Sequence, residues 1–382
     1  MFSREQSFPH RGNESCFLWG ARQTGKSTLL KKLFPDSPKY DLLLSTEFGR
    51  LQMNPSLMLQ ELLANPPGNK PVIIDEIQKI PQLLDDIQWL IVNHQVQFIL
   101  CGSSARKLKR SSANLLGGRA LRYELFPLVY PEIPNFDLLR ALNHGLLPRH
   151  YLSDRPYELQ ESYVGEYLKE EIAAEALTRN IPAFSRFLEA AAFSNGDVVV
   201  YKNIASECGV SAATVKEYFD ILVDTLIGRF IPCFQKRPKR RVILAPRFYY
   251  FDLGLANFLL KRKSIVPKSE AFGRAFEHFI YQEIAAYSHY SGIKFPISYW
   301  HTTSGLEVDF ILGDHEVALE VKGVSQVSGQ HLKGMKAFQE EYTVKKAIVI
   351  SLDVKSRQLE GGVLVHPWEL FLQKLWNGEI IK

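Results

Sequence analysis

The sequence predicts an α/β protein: a helix-covered parallel sheet with a phosphate-binding loop, then a helical stretch, then a second α/β region. Apolar strand-like runs alternate with helix-like runs over the first third of the chain. Residues 20–27, "GARQTGKS", fit G-x-x-x-x-G-K-[ST] at every fixed position, and residues 306–323, "LEVDFILGDHEVALEVKG", pair two apolar runs that carry Asp309, Glu320 and Lys322. A length of 382 residues exceeds one ordinary core. Hydrophobic content of 46% beside 23% charged residues excludes a disordered or fibrous chain. The net charge of +5 permits an anionic partner without requiring one.

Cys16, Cys101, Cys208 and Cys233 form no C-x-x-C pair, so neither a zinc site nor a disulfide framework is indicated. The N-terminus, "MFSREQSFPHRGNES", has no apolar signal-peptide core, and no apolar run is long enough to span a bilayer. A cytoplasmic protein with no membrane segment is expected.

The first strand is "SCFLWG", which runs into the glycine turn; "KSTLLKKLF" is the following helix. "KPVIIDEI" reads as a buried strand, "LLDDIQWLIVNH" as a helix and "VQFILCGSS" as a third strand. In the loop, Gly20 and Gly25 let the backbone aim successive N–H groups at a phosphate, and the helix N-terminus adds its dipole. Residues Gly20, Ala21, Arg22, Gln23, Thr24, Gly25, Lys26, Ser27 and Thr28 are predicted to bind ATP. Lys26 reaches the β- and γ-phosphates and the Ser27 hydroxyl ligates Mg²⁺. Asp75 ends the second strand, where it would hold the same Mg²⁺, and Glu76 would act as general base toward the attacking water. Ser103, after the third strand, either orients that water or is an ordinary loop serine. Arg119, in "LLGGRALRYELFPL", is either a surface arginine or a finger reaching a neighbouring subunit's site, which would make the protein a homo-oligomer.

From about residue 137 to 227 the pattern is helix after helix, broken at "DRPYE", "RNIP" and "NGDV". "YKNIASECGVSAATVKEYFDILVDTLI" reads as helix, turn, helix: Gly209 ends the first, Ser211 caps the second, and Val215, Phe219, Leu222 and Leu226 give one buried face. The basic stretch that follows, residues 236–247, holds Lys236, Arg237, Lys239, Arg240, Arg241 and Arg247, with Phe248, Tyr249 and Tyr250 beyond. Two readings stand: a basic wing on a DNA backbone, or a solvated turn used for protein contacts.

An amphipathic helix, "SEAFGRAFEHFIYQEIAAY", leads into the last region. Glu320 and Lys322 are two apart and share one face of a strand, while ten residues separate Asp309 from Glu320, enough for a hairpin. Asp309, Glu320 and, from the helix, Glu277 are predicted to meet on one hard cation such as Mg²⁺, with Lys322 stabilising charge on the reacting oxygens. A buried salt bridge is the competing reading.

The D-x₁₀-E-x-K spacing resembles that of PD-(D/E)XK nucleases. The chain as a whole resembles prokaryotic AAA+-superfamily ATPases whose C-terminal half is of unknown function, through "GARQTGKSTLL", "VIIDEIQKIP", "ILCGSSARKL", "GGRALRYELFPL", "ESYVGEYLKEEI", "SAATVKEYFDILVDTLI", "FYYFDLGLANFL", "AFGRAFEHFIYQEI", "YWHTTSGLEVDFIL", "ALEVKG" and "HPWELFLQKLW" in order. The resemblance implies a P-loop AAA+ parallel-sheet core over residues 1–125, a helical lid over 126–190, a winged-helix domain over 191–250 and a PD-(D/E)XK-like α/β domain over 251–382. The expected function is Mg²⁺-dependent ATP hydrolysis by a protein acting on DNA with a coupled nuclease-like domain. The alternative is a nucleotide-dependent scaffold whose C-terminal domain does not cleave.

Overall fold

A computed structural model describes residues 2–8, 14–104, 116–168, 180–236 and 239–382, the side chains of 166–168 excepted. The chain divides into two compact units, Met1–Leu128 with Ile221–Ile227, and Val129–Asp220 with Gly228–Lys382.

Unit 1 is an α/β layer. Strands β1 (Ser15–Trp19), β2 (Lys39–Asp41), β3 (Val72–Asp75), β4 (Phe98–Gly102) and β5 (Ala120–Glu124) form a sheet in the order β2-β3-β4-β1-β5, with every pairing parallel. Parallel neighbours need crossovers. Helices α1 (Lys26–Leu33), α2 (Ser45–Met53), α3 (Ser56–Ala64) and α4 (Leu83–His94) lie along the connecting chain. In α4 the buried positions Leu83, Leu84, Ile87 and Leu90 recur at helical spacing and join Phe17, Trp19, Ile74 and Leu100 in one core. Each such aliphatic side chain contributes about 1.5–3 kcal/mol by leaving water. Because β4 stands between β1 and β3, the C-terminal ends of three central strands set the phosphate loop, Ser103 and Asp75–Glu76 side by side.

The sequence reading missed β2 and β5. Both are edge strands, and an edge has one solvated flank. Three-residue "KYD" and partly exposed "ALRYE" accordingly lack the continuous apolar run of a central strand.

Unit 2 begins with the short helices α5 (Leu138–His144), α6 (Pro148–Leu152) and α7 (Pro156–Ser162), then α8 (Ile181–Phe193). Helices α9 (Tyr201–Cys208) and α10 (Ala212–Asp224, its residues from Ile221 belonging to unit 1) follow. Gly209 (φ 67°) ends α9, and the Ser211 hydroxyl accepts from Thr214 N at 3.1 Å. Val215, Phe219 and Leu222 are buried. A two-stranded antiparallel pair, β6 (Gly228–Ile231) and β7 (Arg247–Tyr250), comes next, then α11 (Leu253–Leu259) and the 21-residue α12 (Glu270–Tyr290), capped by Ser269 Oγ. The C-terminal sheet comprises β8 (Ile297–His301), β9 (Glu307–Leu312), β10 (Val317–Lys322), β11 (Lys346–Ser351), β12 (Arg357–Gln358) and β13 (Leu364–Pro367), in the order β12-β13-β11-β10-β9-β8. Helices α13 (Lys333–Glu341) and α14 (Trp368–Trp376) complete it.

The segment expected to form a basic wing is held by its backbone. The segment joining β6 to β7 lies along edge strand β8: Phe234 N donates to Tyr299 O, Tyr299 N to Pro232 O and Ile243 N to His301 O. An exposed edge supplies unpaired N–H and C=O groups, and this segment satisfies them. Its charges are engaged as well. Lys236 pairs with Asp314, Arg240 with Glu340 and Glu341, and Arg247 is buried. Phe248, Tyr249 and Tyr250 are fully buried, so they offer no aromatic face to a base. Lys239 and Arg241 are exposed, and Arg237 and Pro238 lie outside the described residues.

Among the described residues the four cysteines are free and buried, and no helix is long and apolar enough to cross a membrane.

Candidate functional site

Gly25 adopts φ 97° and leads into α1, whose first turn has no side-chain cap. Its leading N–H groups are therefore left for an external acceptor, as an anion site requires. A Cβ on Gly20 would meet Leu125 O at 2.6 Å, so only glycine lets the loop leave β1 here. Lys26 is buried, and its ammonium donates to Gly20 O (2.6 Å) and Ala21 O (3.1 Å), inside the curve of its own loop. The Thr24 hydroxyl donates to Ala21 O at 2.9 Å, and Arg4 donates to Thr24 O at 2.6 Å and Phe126 O at 2.7 Å. The N-terminal arm thus ties down the loop, a role its polar sequence did not announce. Arg22 is half-buried, while Gln23 (φ 64°), Ser27 and Thr28 face solvent.

Across the loop, the Ser27 hydroxyl donates to Asp75 Oδ2 at 2.7 Å. Lys39 Nζ lies 3.3 Å from the same oxygen and 3.3 Å from Asp41. Burial pulls the Lys39 ammonium down, but the charges of Asp75 and Asp41 outweigh it and raise its pKa. A hydroxyl and a carboxylate facing each other beside the loop are a hard-oxygen pair suited to Mg²⁺.

Glu76 sits one residue beyond β3 in a left-handed conformation, φ 60° and ψ 45°. For a non-glycine residue that costs about 1–3 kcal/mol, strain of the kind concentrated at working sites. Its carboxylate accepts from Ser103 Oγ at 3.0 Å and from Gln78 Nε2, and Gln78 Nε2 lies 3.2 Å from Ser103 Oγ. All three side chains are buried. Gln78 was missed by the sequence reading. Nothing in the sequence marks it: after "DEI" the chain reads "QKIPQ", where Gln78 is one polar residue among several. Arg119 is exposed and precedes β5, whose first residue pairs with Ser15 at the start of β1. That edge is about 17 Å from the loop at 3.3 Å per residue, too far to act on the same loop.

In unit 2, β9 and β10 pair antiparallel with Leu319 opposite Phe310, so Asp309 and Glu320 are the next residues along the two strands. The three carboxylates expected to meet on a metal ion meet protein cations instead. Lys322 Nζ is 2.6 Å from Glu320 Oε1 and 3.9 Å from Asp309 Oδ2, whose oxygen also accepts from Val321 N at 2.8 Å. Arg247 from β7 lies 3.5 Å from Glu277, 3.8 Å from Asp309 and 2.8 Å from Glu307. Tyr249 OH donates to Glu277 at 2.5 Å. Among the described residues no three His, Cys, Asp or Glu side chains are arranged to hold a metal ion. Arg247, Glu307 and Tyr249 are cluster members that the sequence reading did not assign there.

Burial, then the nearby Asp309 charge, pushes Glu277 up to about 7. Burial also pushes Glu283 up to about 8, although its two oxygens accept from Tyr130 N (2.9 Å) and Trp376 Nε1 (2.8 Å). Both groups bind a proton more tightly folded than unfolded. Their contribution is complete below the unfolded carboxyl pKa and is lost as pH rises through 7 and 8. His150 and His278, pushed by burial down to about 4, act in the opposite sense, but only below the ordinary histidine range. Between pH 6.5 and 8 the thermal midpoint of unit 2 should therefore fall, at a cost of roughly 1–2 kcal/mol per carboxyl. Melts at constant ionic strength check this; a midpoint that rises over that range contradicts it.

A family model described as an AAA domain matches residues 12–134. Two models described as domains of unknown function, DUF8612 and DUF4143, match residues 135–265 and 272–371. No curated protein matches. Among solved structures, the chain has a match to the Orc1 protein of Aeropyrum pernix in complex with DNA, at 12% identity over 65% of this chain and 86% of that one, with a TM-score of 0.24. The segment that holds the phosphate loop is thus similar to AAA domains, and most of the remaining chain is similar to domains whose function is unknown.

Proposed function

We propose that unit 1 binds ATP with Mg²⁺ and hydrolyses it, and that the C-terminal domain of unit 2 is a non-cleaving partner of that ATPase. The observation that carries the first part is the Ser27–Asp75 contact beside an uncapped helix N-terminus, with Glu76 held by Ser103 a strand away.

In this reading the N–H groups of residues 24–28 and the dipole of α1 bind the β-phosphate. Lys26, held against loop carbonyls when no phosphate is present, turns its ammonium to the phosphate oxygens. Ser27 and Asp75 hold Mg²⁺, which when bound neutralises charge on the transferring phosphoryl group. Glu76 orients a water and takes its proton, while Ser103 and Gln78 fix the carboxylate. Arg119 acts on a second copy's site. Equilibrium titration with ATP tests the reading: Mg²⁺ should tighten binding over an EDTA control, and Ser27→Ala should lose that gain. No saturable ATP binding in either condition would exclude it.

For the C-terminal domain, the paired carboxylates favour the non-cleaving reading because Arg247 and Lys322 already neutralise them.

A further inference from the structure

Resting on that reading of the C-terminal domain, the charged cluster shows what holds it together. Glu277 comes from α12, Glu307 and Asp309 from β9, Glu320 and Lys322 from β10, and Arg247 from β7, a strand outside the C-terminal sheet. Arg247 is only 4% exposed; its guanidinium stands among Glu277, Glu307 and Asp309, with Cζ 4.7 Å from the centre of the Tyr299 ring. Asp309 is divided: Oδ1 faces Arg247, and Oδ2 faces Lys322 and Val321 N. One buried oxygen, Glu320 Oε2, has no hydrogen-bond partner. A hexacoordinate divalent ion needs oxygen ligands at about 2.0–2.1 Å on all sides, and the guanidinium fills the space between Glu277, Glu307 and Asp309 Oδ1 that such a shell would need.

We propose that Arg247 is the resident cation of this cluster, occupying the place among Glu277, Glu307 and Asp309 that a divalent metal ion would need, so that the native chain holds no metal there. Delivery of this cation from β7 also ties the β6–β7 pair to the C-terminal sheet, along with the segment bonded to β8. Removing the guanidinium while keeping the volume exposes a carboxylate set open to a divalent ion.

The test is titration of the full chain with Mn²⁺ in the absence of nucleotide, following free Mn²⁺ by electron paramagnetic resonance. Wild type and Asp309→Asn should bind Mn²⁺ equally. Arg247→Met should gain one site per chain, at least tenfold tighter than wild type, that disappears in Arg247→Met/Asp309→Asn. A wild-type Mn²⁺ site lost in Asp309→Asn overturns the proposal, as does a folded Arg247→Met protein that gains none. If Arg247→Met does not fold, wild type against Asp309→Asn and Glu320→Gln decides alone: equal binding supports the proposal and a lost site overturns it. Plasmid cleavage is scored separately. Mn²⁺ bound at the cluster without cleavage overturns only the resident-cation proposal, whereas cleavage abolished by Glu320→Gln overturns the non-cleaving reading itself.

Discussion

Glu76→Gln should keep ATP binding within about threefold of wild type and lower ATP turnover by roughly 10²–10⁴-fold, the range lost with a general base. The substitution is nearly isosteric. Its carbonyl oxygen still accepts from Ser103 and Gln78, so the buried triangle and the left-handed turn are kept. What disappears is the ability to take a proton from water. Phosphate release measured beside fluorescent-nucleotide binding separates the two effects. If binding and turnover fall together, Glu76 shapes the site rather than acting in it.

Lys26→Ala should weaken ATP binding by about 10²–10³-fold, because hydrogen bonds from a charged donor contribute about 1.5–3 kcal/mol each and this ammonium can reach two phosphates. The same ammonium covers Gly20 O and Ala21 O, so a small loss of thermal stability should accompany it. Nucleotide titration with a melt on the same sample checks both. Unchanged affinity would mean that the loop binds through its backbone alone.

Much of the candidate nucleotide site was legible because its residues are local in the chain. The glycines, Lys26 and Ser27 lie within eight residues, and Asp75 and Glu76 close a run of four apolar residues that only a central strand explains. Gln78 was not legible: it reaches Glu76 and Ser103 only because the chain turns left-handed at Glu76 and β4 lies beside β3. Edge strands β2 and β5 escaped notice for want of apolar runs.

The C-terminal hairpin was legible from the spacing of Asp309, Glu320 and Lys322, and the 2.6 Å Glu320–Lys322 contact follows from two residues sharing one strand face. Arg247 was read with its basic neighbours as a surface group, because sequence proximity to Lys236–Arg241 says nothing about strand direction. Once β7 is formed, Arg247 faces Glu277 and Glu307, which lie 30 and 60 residues further along the chain. A residue's charge is visible in a sequence; the partner that neutralises it is a property of the fold.

The most direct test of the central claim is steady-state phosphate release from ATP by the wild-type chain, with Mg²⁺ and with EDTA. The account predicts release that requires Mg²⁺ and is lost in Glu76→Gln. No release at millimolar ATP with Mg²⁺, or release that persists in EDTA, would contradict it.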